Sequence, residues 1–236
     1  MVAASPHSRR LIAETLRFLC QTLHMRGAMF YWIEPELETT NDTVIGLPDG
    51  LTERYRREMF RLDPLLAARL VRAGKRIADL ECEALAVPAA GTGRYRAFLE
   101  SYGVRGNMDF LFWTGAEPAD RAFGGISLVR LEGDPPFPQD AAHLQALHRY
   151  VGFALGTHER VRRERLRGVL ARGPRLTARE CDICELIADG ATNQDIADAL
   201  TLTIATVKTY VRQIFDKMGA DNRTALAARL AALQLD

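Results

Sequence analysis

LTARECDICELIADGATNQDIADALTLTIATVKTYVRQIFDKMG runs from Leu176 to Gly219 and decides the architecture of the C-terminal third of the chain. Thr177 followed three residues later by Glu180 forms a capping box, in which each side chain satisfies a backbone N–H of the other. It opens a helix with apolar positions Ile183, Cys184, Leu186 and Ile187 that stops at Asp189-Gly190. Thr192, with Asp195 at the box position, caps a second helix whose apolar face is Ile196, Ala197 and Leu200. Thr203 caps a third, through Val207, Val211, Ile214 and Phe215 to Met218-Gly219, and Asn222 a fourth, through Leu226 and Leu230. Four short helices with a tight turn between the second and third predict a helix-turn-helix unit.

The third helix buries Val207, Val211 and Ile214. That leaves Thr206, Lys208, Thr209, Arg212 and Lys217 for its other faces. Lys208 and Arg212 stand four residues apart, so they project from one side. A recognition helix presents such a side to the major groove of double-stranded DNA, where Arg and Lys reach guanine O6 and N7. A solvated helix face would also carry basic residues, but not inside this pattern of caps and turns.

The chain as a whole is nearly neutral: Lys+Arg 31 against Asp+Glu 30, a formal charge of +1 over 236 residues. DNA affinity must therefore come from a local basic patch. The length suits one or two domains. No apolar run is long enough for a membrane span, and no secretion signal opens the chain, so a cytoplasmic protein with reduced thiols is expected. Cys181 and Cys184 lie on one helix with no second Cys/His pair near, which points to ordinary packing with Cys184 the more buried.

The first half reads as helices and strands in alternation. Leu11–Met25 has helical periodicity. Ala28–Ile33 and Thr43–Gly46 read as strands, Leu51–Phe60 as an amphipathic helix, and Asp63-Pro64 as the start of a helix towards Ala73. Residues 84–92 look like a loop, and Tyr95–Tyr102 like a helix closed by Gly103. Met108–Trp113 and Gly125–Leu131 read as antiparallel strands, and Pro138 to about Val169 as one long helix. The expected class is α+β: an N-terminal α/β/α sandwich around a central antiparallel sheet, then an all-α four-helix domain. The boundaries fall at 1–167, a linker 168–175 containing Gly173-Pro174, and 176–236. The arginine-dense stretch Glu159–Arg167 reads either as a solvated helix end or as a source of phosphate contacts.

These residues carry a resemblance. Leu176-Thr-x-Arg-Glu180, Ile187-Ala-x-Gly190, Thr192-Asn-x-x-Ile196-Ala197, Thr206-Val-Lys208, Lys217-Met-Gly219 and Asn222-Arg-Thr224 resemble the LuxR/GerE-type DNA-binding domain. The resemblance implies base reading by Lys208, Thr209 and Arg212. It also implies a fourth helix that dimerises and a homodimer on a pseudo-palindromic site, with RNA polymerase as a further partner. The first half resembles the autoinducer-binding domain of quorum-sensing LuxR regulators through Leu51-x-x-x-Tyr55, Asp63-Pro64 and Tyr102-Gly-Val-Arg105. In that family an Asp takes the amide N–H of an N-acyl homoserine lactone and a Tyr its amide carbonyl, which fall here on Asp63 and Tyr55. The Trp that holds the lactone carbonyl is replaced by Leu51, which has no donor, and a second family Trp is missing around Ile77–Leu80.

The first half could thus bind a lactone, bind a different small apolar molecule, or serve as a dimerisation or partner-binding module without ligand. As lining candidates the sequence offers Leu51, Tyr55, Asp63, Tyr31, Phe110 and Phe112; about half of the strand aromatics should be core only, because strand residues alternate between faces. A phosphoacceptor receiver domain is excluded by the lack of an acidic pair after the first strand. Catalysis has no support: Gly91-Thr-Gly93 is incomplete as a dinucleotide loop, no Gly-x-Ser-x-Gly occurs, and the five histidines have no metal-ligand spacing. No cofactor and no metal is expected.

Overall fold

The computed structural model describes residues 6–84, 89–115, 120–173 and 176–233. Two compact units divide it: Met1–Trp113 with Arg121–His158, and Thr114–Asp120 with Glu159–Asp236.

The N-terminal unit runs α1 (Pro6–Leu23), β1 (Gly27–Ile33), β2 (Thr39–Ile45), α2 (Leu51–Arg54), α3 (Ala67–Arg72), β3 (Ile77–Asp79), α4 (Leu80–Ala84), α5 (Ala89–Glu100), β4 (Val104–Trp113), β5 (Ala122–Leu131) and α6 (Ala141–Gly156). Its sheet is antiparallel throughout, in the order β2-β1-β5-β4-β3. Alternation along the strands builds two cores. Phe30, Trp32, Phe110, Phe112 and Phe123 pack on one face, where Phe112 stacks on His148 of α6 at 4.9 Å and α1 lies beside α6. Tyr31, Ile33, Leu111 and Val129 point the other way, into a cluster with Leu51, Met59, Leu65, Leu70, Tyr95 and Phe98. The expected α/β/α sandwich is the fold.

Several elements differ from the sequence expectation. The amphipathic stretch after Leu51 is not one regular helix: α2 passes into a π turn (Tyr55–Met59) and then a 3-10 turn (Phe60–Leu62). Asp63 does not cap α3, which begins four residues later; its Oδ1 accepts the Leu65 N–H at 2.8 Å and holds a turn instead. β3 occupies Ile77–Asp79, where no strand was expected, because the short run pairs with β4. The loop expected over 84–92 is helical from Ala89; residues 85–88 of it lie outside the described residues.

The long helix expected from Pro138 is two helices. Asp140 caps α6 by accepting from the N–H groups of Ala142 and His143, and Thr157 ends it, its hydroxyl donating to the Ala154 carbonyl at 2.7 Å. A new helix, α7 (Glu159–Arg172), starts the second unit. The linker assigned to 168–175 is therefore helix up to Arg172, with 174–175 outside the described residues. Leu166 and Leu170 of α7 are buried in the same core as the four helices that follow, which is why α7 stays with them.

Those four are α8 (Ala178–Ala188), α9 (Asn193–Leu200), α10 (Ile204–Met218) and α11 (Arg223–Leu233). Both expected capping boxes are present, Thr177/Glu180 on α8 and Thr192/Asp195 on α9. Ile183, Cys184, Ile196, Val207, Ile214, Leu226 and Leu230 form the core. Cys184 is fully buried, and burial pushes its thiol up to about 12, so it packs as a small hydrophobe. Among the described residues no helix is long and apolar enough to cross a membrane.

Candidate nucleic-acid interface and candidate ligand cavity

The turn between α9 and α10 is short because Thr201 adopts the left-handed conformation (φ 55°), the Leu202 N–H bonds back to the Ala197 carbonyl, and Thr203 at once caps α10. Val207, Val211 and Ile214 anchor α10 in the core. Lys208, Thr209 and Arg212 stand on its exposed side. Lys208 and Arg212 make no hydrogen bond or ion pair among the described residues, so both cations point to solvent with their donors available; the Thr209 hydroxyl bonds to its own helix at the Ala205 carbonyl.

Two of the five residues expected to face DNA have other work. Thr206 is half-buried and shares a 2.8 Å hydroxyl bond with the capping Thr203. Lys217 is a correction: its Nζ lies 2.7 and 2.8 Å from the two carboxylate oxygens of Glu180, which is only 2% exposed. Burial works to raise the Glu180 carboxyl, but the bonds from Lys217 and Thr177 outweigh it and hold the group below its ordinary range. Lys217 thus ties α10 to the first turn of α8. Arg179 and Arg223 are scaffold too: Arg179 donates to the Leu200 carbonyl at 2.5 Å, and Arg223 to the Ala191 carbonyl and the Asn193 side chain.

The arginines of α7 are neither a loose solvated end nor a free phosphate-binding row. Arg163 pairs with Asp189 at 2.8 Å and Arg167 with Glu185 and Asp182 on α8; Arg172 pairs with Asp120. Arg160 is bound to Glu164 on its own helix.

The second site is a cavity in the N-terminal unit, between the sheet face bearing Tyr31 and the helices α2, α3 and α5. It encloses about 610 Å³ of space not occupied by protein atoms, part of it open to solvent. The enclosed cavity proper is about 50 Å³, room for a few water molecules, so a larger ligand needs the lining side chains to move apart. Of the expected lining residues, Leu51, Tyr55, Asp63 and Tyr31 are there. Phe110 and Phe112 are not. They occupy even positions of β4, which face α6, and they pack on His148. The odd positions, Asn107 and Asp109, face the cavity instead.

Those two polar residues, together with Tyr95, are what the sequence reading missed. A signal existed: Asn107 and Asp109 alternate with Met108 and Phe110, so a strand otherwise apolar carries a polar pair on one face. For Tyr95 the periodicity specifies a helix and carries no sign of the cavity.

The polar groups form two sets. On the helical wall, the Tyr55 hydroxyl donates to Asp63 Oδ2 at 2.7 Å, the Leu65 N–H to Oδ1, and Tyr95 adds a further bond to Asp63. On the sheet wall, the Tyr31 hydroxyl donates to Asp109 Oδ2 at 2.7 Å. Gly125 makes this second bond feasible, since a Cβ there would overlap the Tyr31 ring. Burial raises the Asp63 carboxyl despite the bonds from Tyr55 and Leu65. Asp109 is pushed up to about 7, first by burial and then by the charge of Asp63, against the opposing bonds from Tyr31 and Ser127.

This has a consequence for stability. A carboxyl that holds its proton more tightly folded than unfolded favours the fold fully below the unfolded value of 3.8, and that benefit is lost as pH rises through about 7. The unliganded N-terminal unit should therefore lose on the order of 2 kcal/mol between pH 5 and pH 8 from Asp109, with Asp63 acting in the same direction. Urea denaturation followed by tryptophan fluorescence isolates this unit, because both tryptophans, Trp32 and Trp113, lie in it. Asp109→Asn should flatten the pH dependence; an unchanged slope contradicts the assignment.

Residues 174–230 match the family described as "Bacterial regulatory proteins, luxR family" (GerE). Along most of its length the chain is similar to the monoamine regulon transcriptional regulator of Klebsiella aerogenes, 27% identical over 220 residues, covering 93% of this chain and 89% of that protein. A shorter similarity, 46% identical over 52 residues, is to the transcriptional regulatory protein LiaR of Bacillus subtilis (strain 168), spanning 22% of this chain and 25% of LiaR. Among solved structures, Escherichia coli SdiA aligns over 96% of this chain and 91% of its own, with 18% identity and a TM-score of 0.44. The matched residues 174–230 span α8 to α11, and the two curated proteins named here are transcriptional regulators.

Proposed function

We propose that this chain, built on a LuxR-family DNA-binding domain, is a transcriptional regulator that binds a pseudo-palindromic DNA site as a homodimer in the cytoplasm and adjusts its activity to a small molecule held in the N-terminal cavity. The observation that carries the DNA-binding part is the exposed row of Lys208, Thr209 and Arg212 on a helix fixed from behind by Val207, Val211 and Ile214. Its cations are uncommitted while neighbouring basic residues are paired. Base reading needs such donors held rigidly. RNA polymerase is the natural further partner of a regulator that activates.

The cavity supports a sensing role over a purely structural one. A domain that served only as a dimerisation block would gain by filling a space that leaves the Oδ1 atoms of Asp109 and Asn107 without a partner, since an unmet buried polar group is costly. The fourth helix of the domain supports dimerisation. α11 buries Leu226 and Leu230 and leaves Thr224, Ala228, Ala231 and Ala232 exposed on a narrow small-residue face that lets a second helix approach closely.

Sedimentation of the full chain with a duplex carrying its site tests the assembly. Two chains per duplex are expected, and Ala228→Arg should reduce this to weakly bound single chains while leaving the melting temperature of the isolated chain nearly unchanged. One chain per duplex for the unsubstituted protein would rule out the dimeric reading.

A further inference from the structure

The cavity is equipped for a positive charge. Two carboxyls, Asp63 and Asp109, line it from opposite walls, and no Lys, Arg or His is among the residues that line it. The cation acting on Asp63 is Arg69, which lies outside the lining.

The hydrogen-bond inventory is lopsided in the same direction. The hydroxyls of Tyr31, Tyr55, Tyr95 and Ser127 are all spent on the two carboxyls. Asp63 is saturated by Tyr55, Leu65 and Tyr95. Asp109 is not. It is 4% exposed, and its Oδ1 has no hydrogen-bond partner; neither does the Oδ1 of Asn107, two residues away on the same strand face and 9% exposed. With Asp109 ionised, the unmet groups in this cavity are therefore acceptors, and an orphaned buried acceptor is expensive. A ligand that meets them must bring donors.

An N-acyl homoserine lactone brings two carbonyls and one N–H, the wrong balance for this wall, and Leu51 adds no donor to hold it. An alkylammonium group brings several N–H donors and a compensating charge. Tyrosine ring faces favour it further, and Leu47, Leu51, Leu65 and Leu99 would receive an apolar body.

We propose that the cavity binds a small protonated amine with an apolar or aromatic body, its ammonium group on Asp109 and Asn107. This rests on the reading of the N-terminal unit as a small-molecule sensor and names the ligand class. Burial and the neighbouring Asp63 keep Asp109 partly protonated when the cavity holds no cation, and a bound ammonium would relieve both pressures. Affinity should then rise as pH increases from 6 to 8, where an aliphatic amine stays protonated and Asp109 ionises. The groups facing Asp109 over that range are Asp63 and the tyrosines 31, 55 and 95, whose hydroxyls burial raises well above their ordinary value.

The test is calorimetry and thermal shift on the full chain with three probes: 2-phenylethylamine, its neutral isostere 2-phenylethanol, and N-octanoyl homoserine lactone. The amine should bind at least tenfold more tightly than the alcohol, and several-fold more tightly at pH 8 than at pH 6. Asp109→Asn should remove most of that preference. The amine-to-alcohol comparison needs no variant, so it stands even if Asp109→Asn folds poorly. Equal binding of amine and alcohol, or preference for the lactone, overturns the charge assignment and leaves the sensor reading in place. No binding by any of the three overturns both. DNA binding by the same preparation reports separately on the C-terminal domain.

Discussion

Replacing Lys208 and Arg212 together by alanine should abolish sequence-specific DNA binding and leave the fold intact. Both side chains are exposed and neither is bonded within the described protein, so their removal costs little stability. Each, placed on a guanine edge, is worth about 1–3 kcal/mol of discrimination. The pair therefore contributes roughly 2–6 kcal/mol per half-site, and a dimer loses it twice. Specific affinity should fall to the level of non-specific binding, by several hundredfold or more. A gel shift at fixed salt on specific and scrambled duplexes measures it, with circular dichroism as the control for folding. Retention of the specific-to-scrambled ratio would show that α10 is not the reading helix.

Lys217→Ala should behave in the opposite way. It sits on the same helix and carries the same charge as Lys208, yet its ammonium is bound to the buried carboxylate of Glu180. Without it, an ionised acceptor stays buried with only the Thr177 capping bonds. Leaving such a group unmatched costs about 1–3 kcal/mol, discounted here because Lys217 is 37% exposed and water can partly replace it. For a domain of this size the melting temperature falls by several degrees per kcal/mol. The sign with pH also follows. Glu180 is held below its ordinary range, so its contribution is present above the unfolded value and lost as pH falls through the folded one. The stability gap between the two proteins should therefore close in acid. Specific DNA binding below the melting temperature should change little; a loss as deep as that of the Lys208/Arg212 variant, without destabilisation, would restore Lys217 to the DNA face.

The contrast between these two lysines marks what the sequence could convey. Caps, apolar spacing and turns specify the four helices almost residue by residue, because Thr177, Thr192, Thr203 and the buried Val207, Val211 and Ile214 act locally. Helical spacing alone does not say which basic residue has a partner. Glu180 lies 37 residues from Lys217, and that pairing exists only once the helices pack. For the same reason the sequence leaves Arg163 and Arg167 of α7 without a visible partner: Asp189, Asp182 and Glu185 lie on α8 or at its end and meet them only once the helices pack.

In the N-terminal unit the strands were visible, but the face each residue takes was not. Phe110 and Phe112 were assigned to the cavity and belong to the opposite core, whereas Asn107 and Asp109 line it. A one-residue change of register exchanges every side chain between faces, and an aromatic strand offers no internal clue to which face is lined by a cavity. Tyr55, Asp63 and Leu51 were found because a family resemblance pointed to them. Asp109 had no such pointer, and its importance follows from three-dimensional contacts with Tyr31 and Asp63.

Base reading by α10 of a dimer is open to selection of bound duplexes from a random pool by the full chain. An inverted repeat whose half-sites are centred about one helical turn, roughly 10 base pairs, apart should be enriched. The enrichment should vanish for the Lys208→Ala/Arg212→Ala protein. Recovery of no common sequence by the unsubstituted chain, or of the same sequence by both proteins, would contradict base reading by α10.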